Sequence, residues 1–218
     1  MNLFMKLKQA YNMALNPVGV KLIFNNNETK YDEELFKSPK KKERYCEFIK
    51  RVSEGEFLKI KNGDFSCVTG EIMLGFMKPK HMILDMRLDF RGLEYILLFP
   101  VNKYNIENCE SIILIVNPKI CMDIVEAYVK IYKKPLNIVC GTVSGICSEV
   151  TAYVIKCKEI NFSFLCSGSR LFAGFDDCDL LCGIPYGMTN ELIKKMLDIR
   201  ENRKLDYQLA KEYRDSIK

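Results

Sequence analysis

The chain has 218 residues, 48% of them hydrophobic, with 33 basic against 28 acidic side chains and a net charge of +5. A chain this long buries roughly 70% of the surface its unfolded form exposes, so it needs no disulfide scaffold and is not disordered. The densest basic cluster, Lys37, Lys40, Lys41, Lys42 and Arg44, has no interleaved aromatic residues and no nucleic-acid motif. It reads as a solvated face, which argues against a nucleic-acid partner.

In chain order, residues 2–14 carry an amphipathic helical pattern that ends at Asn16-Pro17. Val18, Val20 and Leu22 then alternate with Gly19, Lys21 and Ile23 as a strand does. Asn25-Asn26-Asn27 marks a turn, and residues 39–54 place Tyr45, Phe48, Ile49 and Val52 on a helical stripe that Gly55 stops. Phe57–Ile60 and Phe65–Cys67 read as extended segments joined by Asn62-Gly63, and residues 82–101 as a hairpin or meander bending near Arg91-Gly92. Ser111–Val116 is a β-rich run closed by Asn117-Pro118. Ile120, Cys121, Ile124, Val125, Tyr128, Val129 and Tyr132 give the clearest helical face, ended near Pro135. Leu136–Cys140 and Phe162–Cys166 read as strands flanking a helix near Ser148–Tyr153. From Thr189 onward Leu205, Leu209, Tyr213 and Ile217 recur at helical spacing.

The expected fold class is α+β: one domain spanning residues 1–218, with mixed sheets, flanking helices and a C-terminal helical tail from 188 to 218. One internal echo admits two pseudo-repeated halves. Phe65-Ser66-Cys67 followed by Gly75-Phe76 matches Phe164-Leu165-Cys166 followed by Gly174-Phe175. In each copy a thiol ends an apolar segment and enters a glycine-containing turn.

The longest apolar runs, Tyr95–Val101 and Ile112–Val116, fall far short of the roughly 20 residues of a membrane span. Lys6, Lys8 and Gln9 interrupt the only candidate for a secretory leader. The expectation is a cytoplasmic protein without a membrane partner, whose ten cysteines are thiols or metal ligands rather than cystines. There is no C-x2-C pair, so zinc-ribbon, thioredoxin and bacterial-ferredoxin patterns are absent. The closest pair, Cys178 and Cys182, would share a face if that segment were helical. With a single histidine, His81, any all-protein metal site must be mainly thiolate. That selects zinc or iron–sulfur.

Core packing is the bland expectation for Cys46, Cys109, Cys121 and Cys157. Cys67, Cys147 and Cys166 stand apart, because each lies near turn glycines where backbone can approach a ligand closely. Cys166-Ser167-Gly168-Ser169-Arg170 is the most suggestive stretch. Its turn could cradle an anion against Gly168, Ser169 and Arg170, and a nearby guanidinium would activate the thiol. Arg170 could equally pair with Asp176 or Asp177.

The segments Gly145-Ile146-Cys147-Ser148-Glu149-Val150-Thr151-Ala152-Tyr153, Cys166–Phe172 and Gly183-Ile184-Pro185 resemble domain-of-unknown-function family 169, found in archaea and anaerobic bacteria. Pro17-Val18-Gly19-Val20-Lys21, Arg44-Tyr45-Cys46 and Phe65–Gly70 extend the likeness collinearly over residues 17–187. The family brings no established activity. What the resemblance implies is a set of thiols, because Cys46, Cys67, Cys147 and Cys166 fall where the family pattern carries cysteine. Cys178 and Cys182 depart from that pattern, and Val68 and Ser167 stand where it often has proline.

The leading expectation is a cysteine-ligated iron–sulfur protein, with zinc as the alternative metal and Cys46, Cys67, Cys147 and Cys166 as ligands. Its partner would be a redox protein or a small molecule. One rival is a metal-free thiol or small-anion-binding enzyme using Cys166 and Arg170. A second rival is a non-catalytic homo-oligomeric partner protein that makes contact through its C-terminal helix.

Overall fold

The computed structural model describes residues 2–25, 29–79, 86–141 and 143–217. At the centre lies one six-stranded sheet of β1 (Val18–Phe24), β2 (Leu58–Lys61), β3 (Leu93–Pro100), β4 (Ser111–Val116), β5 (Asn161–Ser163) and β6 (Leu180–Pro185). Their order is β2-β3-β1-β4-β6-β5, and every neighbouring pair is antiparallel. The fold class is α+β.

Both faces of the sheet are covered, which explains why β4 reads as an unbroken apolar run. Alternate residues serve opposite cores. Ile113 and Ile115 join one, with Val18, Val20, Leu22, Ile96 and Leu98. Ile112, Leu114 and Val116 join the other, with Leu97, Phe99 and Ile184. The first core is roofed by α2 (Tyr45–Glu54), α3 (Val68–Met73), a π-helix (Gly145–Ala152), α5 (Tyr153–Cys157) and α6 (Ser167–Ala173). The second is roofed by α1 (Leu3–Ala10), α4 (Pro118–Tyr132) and the 31-residue α7 (Tyr186–Ser216).

Capping chemistry fixes several ends. The Asn2 and Asn117 side chains accept from the first N–H groups of α1 and α4. Gly55, at φ +124°, closes α2. The glycine Gly19 in β1 is required by packing, since a Cβ there would lie 2.4 Å from the Phe99 ring.

The sheet has an internal twofold relation. Outward from its centre, β1-β3-β2 is mirrored by β4-β6-β5. In the first half α2 lies between β1 and β2, and α3 between β2 and β3. In the second half the π-helix with α5 precedes β5, and α6 joins β5 to β6. The helix contacts follow the same relation: α2 packs on α6, and the π-helix packs on α3. The two copies of the Phe-x-Cys echo occupy equivalent places, at the entries to α3 and α6.

Several local expectations change. Pairing within the sheet overrides the two hairpins: β2 and β3 lie side by side, β1 sits on the far side of β3, and Phe65 makes only an isolated bridge to Glu43. The helix expected from residue 39 begins at Tyr45, after bridges at Lys37 and Glu43 tie the preceding segment to β2 and Phe65. Leu136–Cys140 is irregular, its backbone at Val139 held instead by the Asn161 side amide. The segment at Cys178 and Cys182 is a turn leading into β6, so the two thiols share no helical face. Asn26, Asn27, His81 and residues 82–85 lie outside the described residues. Among those described, no helix is long and apolar enough to cross a membrane.

Candidate functional site

Cys46, Cys67, Cys147 and Cys166 line a single cavity of about 300 Å³ in the first-core layer. Each half of the molecule supplies two. Cys46 stands in the first turn of α2 and Cys147 in the first turn of the π-helix; Cys67 and Cys166 are the residues immediately before α3 and α6. The twofold relation that exchanges α2 with the π-helix and α3 with α6 therefore exchanges the thiols too, and the cavity lies where the halves meet.

Close packing holds this junction. A Cβ on Gly145 would lie 2.7 Å from Ser163 Oγ and 3.1 Å from the Cys166 nitrogen, so the start of the π-helix rests directly on the approach to Cys166. A Cβ on Gly183 would fall 2.3 Å from the Val150 carbonyl oxygen, so the π-helix also sits flat on β6. Leu165 is held at φ +69°, a left-handed conformation that is uncommon for a bulky residue, and it turns the chain sharply into Cys166. Beneath the loop the Glu149 carboxylate accepts from Ser163 Oγ and from the Gly141 N–H. Thr151 Oγ1 donates to the Ile146 carbonyl and bridges the halves by a hydrogen bond with Tyr45 Oη, 3.2 Å away.

Cys147 lies within electrostatic reach of the other three sulfurs. Burial pushes the Cys147 thiol well above its ordinary value, and its neighbours Cys67, Cys166 and Cys46 add to that. Burial, then Cys166, raises Cys46 to about 11. Cys166 goes the other way: burial raises it, but the Ser169 hydroxyl and the N–H groups of Ser169, Gly145 and Gly168 outweigh that and lower it overall. Ser169 Oγ lies 3.3 Å from Cys166 Sγ. The set thus holds one thiol that ionises more readily than usual and two that resist, chiefly because they are buried and secondarily because neighbouring thiolates repel. A cation placed among them would reverse the sign of that interaction.

Among the described residues, no group of three or more His, Cys, Asp or Glu side chains is arranged to hold a single metal ion. The thiols surround a space instead of converging on a point.

Of the expected anion-binding residues, Gly168 and Ser169 line the cavity and Arg170 does not. The Arg170 guanidinium donates to the backbone carbonyls of Asp176, Phe164 and Asp179, tying down the loop before β6. The reason is positional: α6 points its first residues at the cavity and turns Arg170 outward. The cation in the cavity is Arg44, with Thr69 and Ser144 beside it. Sequence reading missed all three. Only Arg44 carried a signal, as the residue just before Tyr45-Cys46.

The remaining thiols lie elsewhere. Cys109 and Cys182 are buried in the second core, on the opposite face of the sheet, and Cys121 packs against the same core. Cys140, Cys157 and Cys178 are exposed.

The fold and the site together define an antiparallel α+β protein with a four-cysteine cavity between two related halves. The chain belongs to domain-of-unknown-function family 169, described as uncharacterised ArCR, whose model matches residues 6–92 and 80–195. No curated protein and no solved structure matches it.

Proposed function

We propose that the protein binds an iron–sulfur cluster through Cys46, Cys67, Cys147 and Cys166. The reading is carried by one observation: four thiols from four separate chain segments line one cavity, in a chain with six other cysteines that do not. Four is the number of thiolates that a four-iron cluster or a tetrahedral zinc ion takes. Their placement around one cavity favours the cluster. One zinc ion would draw all four sulfurs to about 2.3 Å from a common centre. A cluster engages each cysteine on a different iron and so suits thiols spread around a space. The two-plus-two symmetry of the ligands matches a cofactor that is itself symmetric.

When bound, such a group supplies electron transfer or, with one iron left open, a Lewis-acidic position for a small substrate. The chain's own contribution is to line the cavity with the buried Ile146 and Tyr45, to ease ionisation of Cys166 through the Ser169 hydroxyl and three N–H groups, and to place Arg44 as a nearby positive charge. Purification without oxygen, followed by iron and sulfide analysis and an absorption spectrum, tests the reading. Brown protein with about four irons per chain is expected, falling steeply in Cys67→Ser and Cys147→Ser and staying unchanged in Cys157→Ser. Colourless, metal-free protein with all ten thiols titratable would overturn it.

A second reading is supported by the lowered Cys166 thiol: a metal-free enzyme in which Cys166 is the nucleophile and Arg44, in place of Arg170, anchors an anionic substrate. Stoichiometric labelling of Cys166 ahead of every other thiol in protein that never contains metal would favour it.

A further inference from the structure

The twofold relation accounts for the four thiols but not for everything in the cavity. With Cys46 matched to Cys147, the counterpart of Arg44 is Gly145, so one side of the cavity has a guanidinium where the other has only a backbone. Among the described residues, no acidic side chain lines the cavity. No carboxylate forms an ion pair with Arg44 among the described residues. Instead its guanidinium lies over the Phe172 ring, 3.9 Å from the centroid, and close above Gly168, where a Cβ would come within 3.1 Å of Nη1. Stacking of this kind holds the planar fork in place while leaving its N–H edge free to donate.

A second polar group in the cavity also lacks a partner. Ser144 is 4% exposed, lines the same cavity, and its Oγ has no hydrogen-bond partner among the described residues. A buried hydroxyl left without a partner is costly, so it points to a ligand that completes it. Arg44, half-buried and without an ion-pair partner among the described residues, places a pre-oriented positive charge beside it.

We propose that Arg44 and Ser144 form the receptor for a small oxyanion, a carboxylate or phosphate group, held off the pseudo-twofold axis beside the thiols. The guanidinium takes two oxygens side by side, and Ser144 donates to one of them. Gly168 is the residue whose missing side chain lets the guanidinium settle there. The receptor uses no thiol, so it stands whether or not the thiols hold metal.

The test uses acetate and inorganic phosphate as probes, at ionic strength held constant with chloride, on the full chain prepared both with and without metal. Binding is followed by calorimetry and by the shift of the Arg44 side-chain resonance. Saturable binding of at least one probe is expected in both preparations, weakened tenfold or more in Arg44→Gln and about threefold in Ser144→Ala. Gly168→Ala, which keeps the charge but displaces the guanidinium, is expected to weaken it as well, and Arg170→Gln to leave it unchanged. Thermal melts show whether each variant is folded, and Gly168→Ala serves where Arg44→Gln is not. Absence of saturable binding in both folded preparations, or equal affinity in wild type and the folded cavity variants, overturns the receptor. Iron-loaded protein that binds neither anion refutes the receptor and leaves the cluster standing. Anion binding in protein that never takes up iron does the reverse.

Discussion

Ten cysteines with one chemistry take three different fates, and surroundings decide which. Cys109 is raised to about 12, chiefly by burial and then by Glu110, while Cys182 is fully buried against the second core. Cys121 is raised to about 11 by burial alone, and Cys166 is lowered by the donors around it. A thiol reacts as its thiolate, so a lowered value means a larger reactive fraction at any given pH, and a raised value a smaller one. In metal-free native protein, the alkylation rate of Cys166 is expected to rise with a midpoint below the ordinary thiol value of 9.0, and that of Cys46 near 11. Cys109 and Cys182 should stay unmodified throughout this range. Mass spectrometry of peptides after timed alkylation reads each rate. With metal bound, protection of Cys46, Cys67, Cys147 and Cys166 together is the expected outcome, while Cys140, Cys157 and Cys178 continue to react.

Among the elements, the π-helix does most to shape the site. Helices of this type are rare and gather at functional sites, because the wider turn re-aims side chains at some cost in backbone geometry. Here it brings Cys147 inward and lays Val150 on Gly183. Gly183→Ala must push the π-helix off β6, since its Cβ would meet backbone, which cannot rotate away. Overpacking of this kind costs about 1–3 kcal/mol. A fall in melting temperature of roughly 2–12 °C is expected for a chain of this size, along with, on the proposed cluster reading, lower iron content, because Cys147 moves with its helix. Gly187→Ala, where nothing lies within 4 Å of the Cβ position, is the matched control and should match wild type in both stability and metal content.

Across the whole molecule, the second face of the sheet acts as a buttress remote from the thiols. Asp123 of α4, 1% exposed, accepts from Tyr11 Oη at 2.9 Å and pairs with Arg203 of α7, which also pairs with Glu126. That network joins α1, α4 and α7 into one layer. Arg203→Met would leave the Asp123 charge buried with a single hydroxyl to serve it. The expected loss is about 2–3 kcal/mol, less than for a fully enclosed pair because Arg203 remains partly open to water. Calorimetric melting should register it, while the iron content per folded chain stays as in wild type. Beyond this network α7 continues into solvent with Leu209, Tyr213 and Ile217 exposed.

How much of this was legible in the sequence follows from the range of the forces involved. Local patterns were enough for β4, whose apolar run matches its observed bounds, for α4 with its apolar face, and for the end of α2 at Gly55, because periodicity and helix-stop signals act within a few residues. The family-like thiols and the two Phe-x-Cys echoes were also visible. Strand partners were not: β1 lies between β3 and β4, and antiparallel pairing across tens of residues leaves no mark on the neighbouring sequence. Nor could the sequence distinguish Arg170 from Arg44. Both stand near a cysteine, and only the packing of α2 against α6 turns one guanidinium into the cavity and the other out to the loop carbonyls. The amino-acid order alone determined which residues carry sulfur and charge. The meeting of the two halves decided which of them share a space, because that choice depends on contacts between segments about a hundred residues apart.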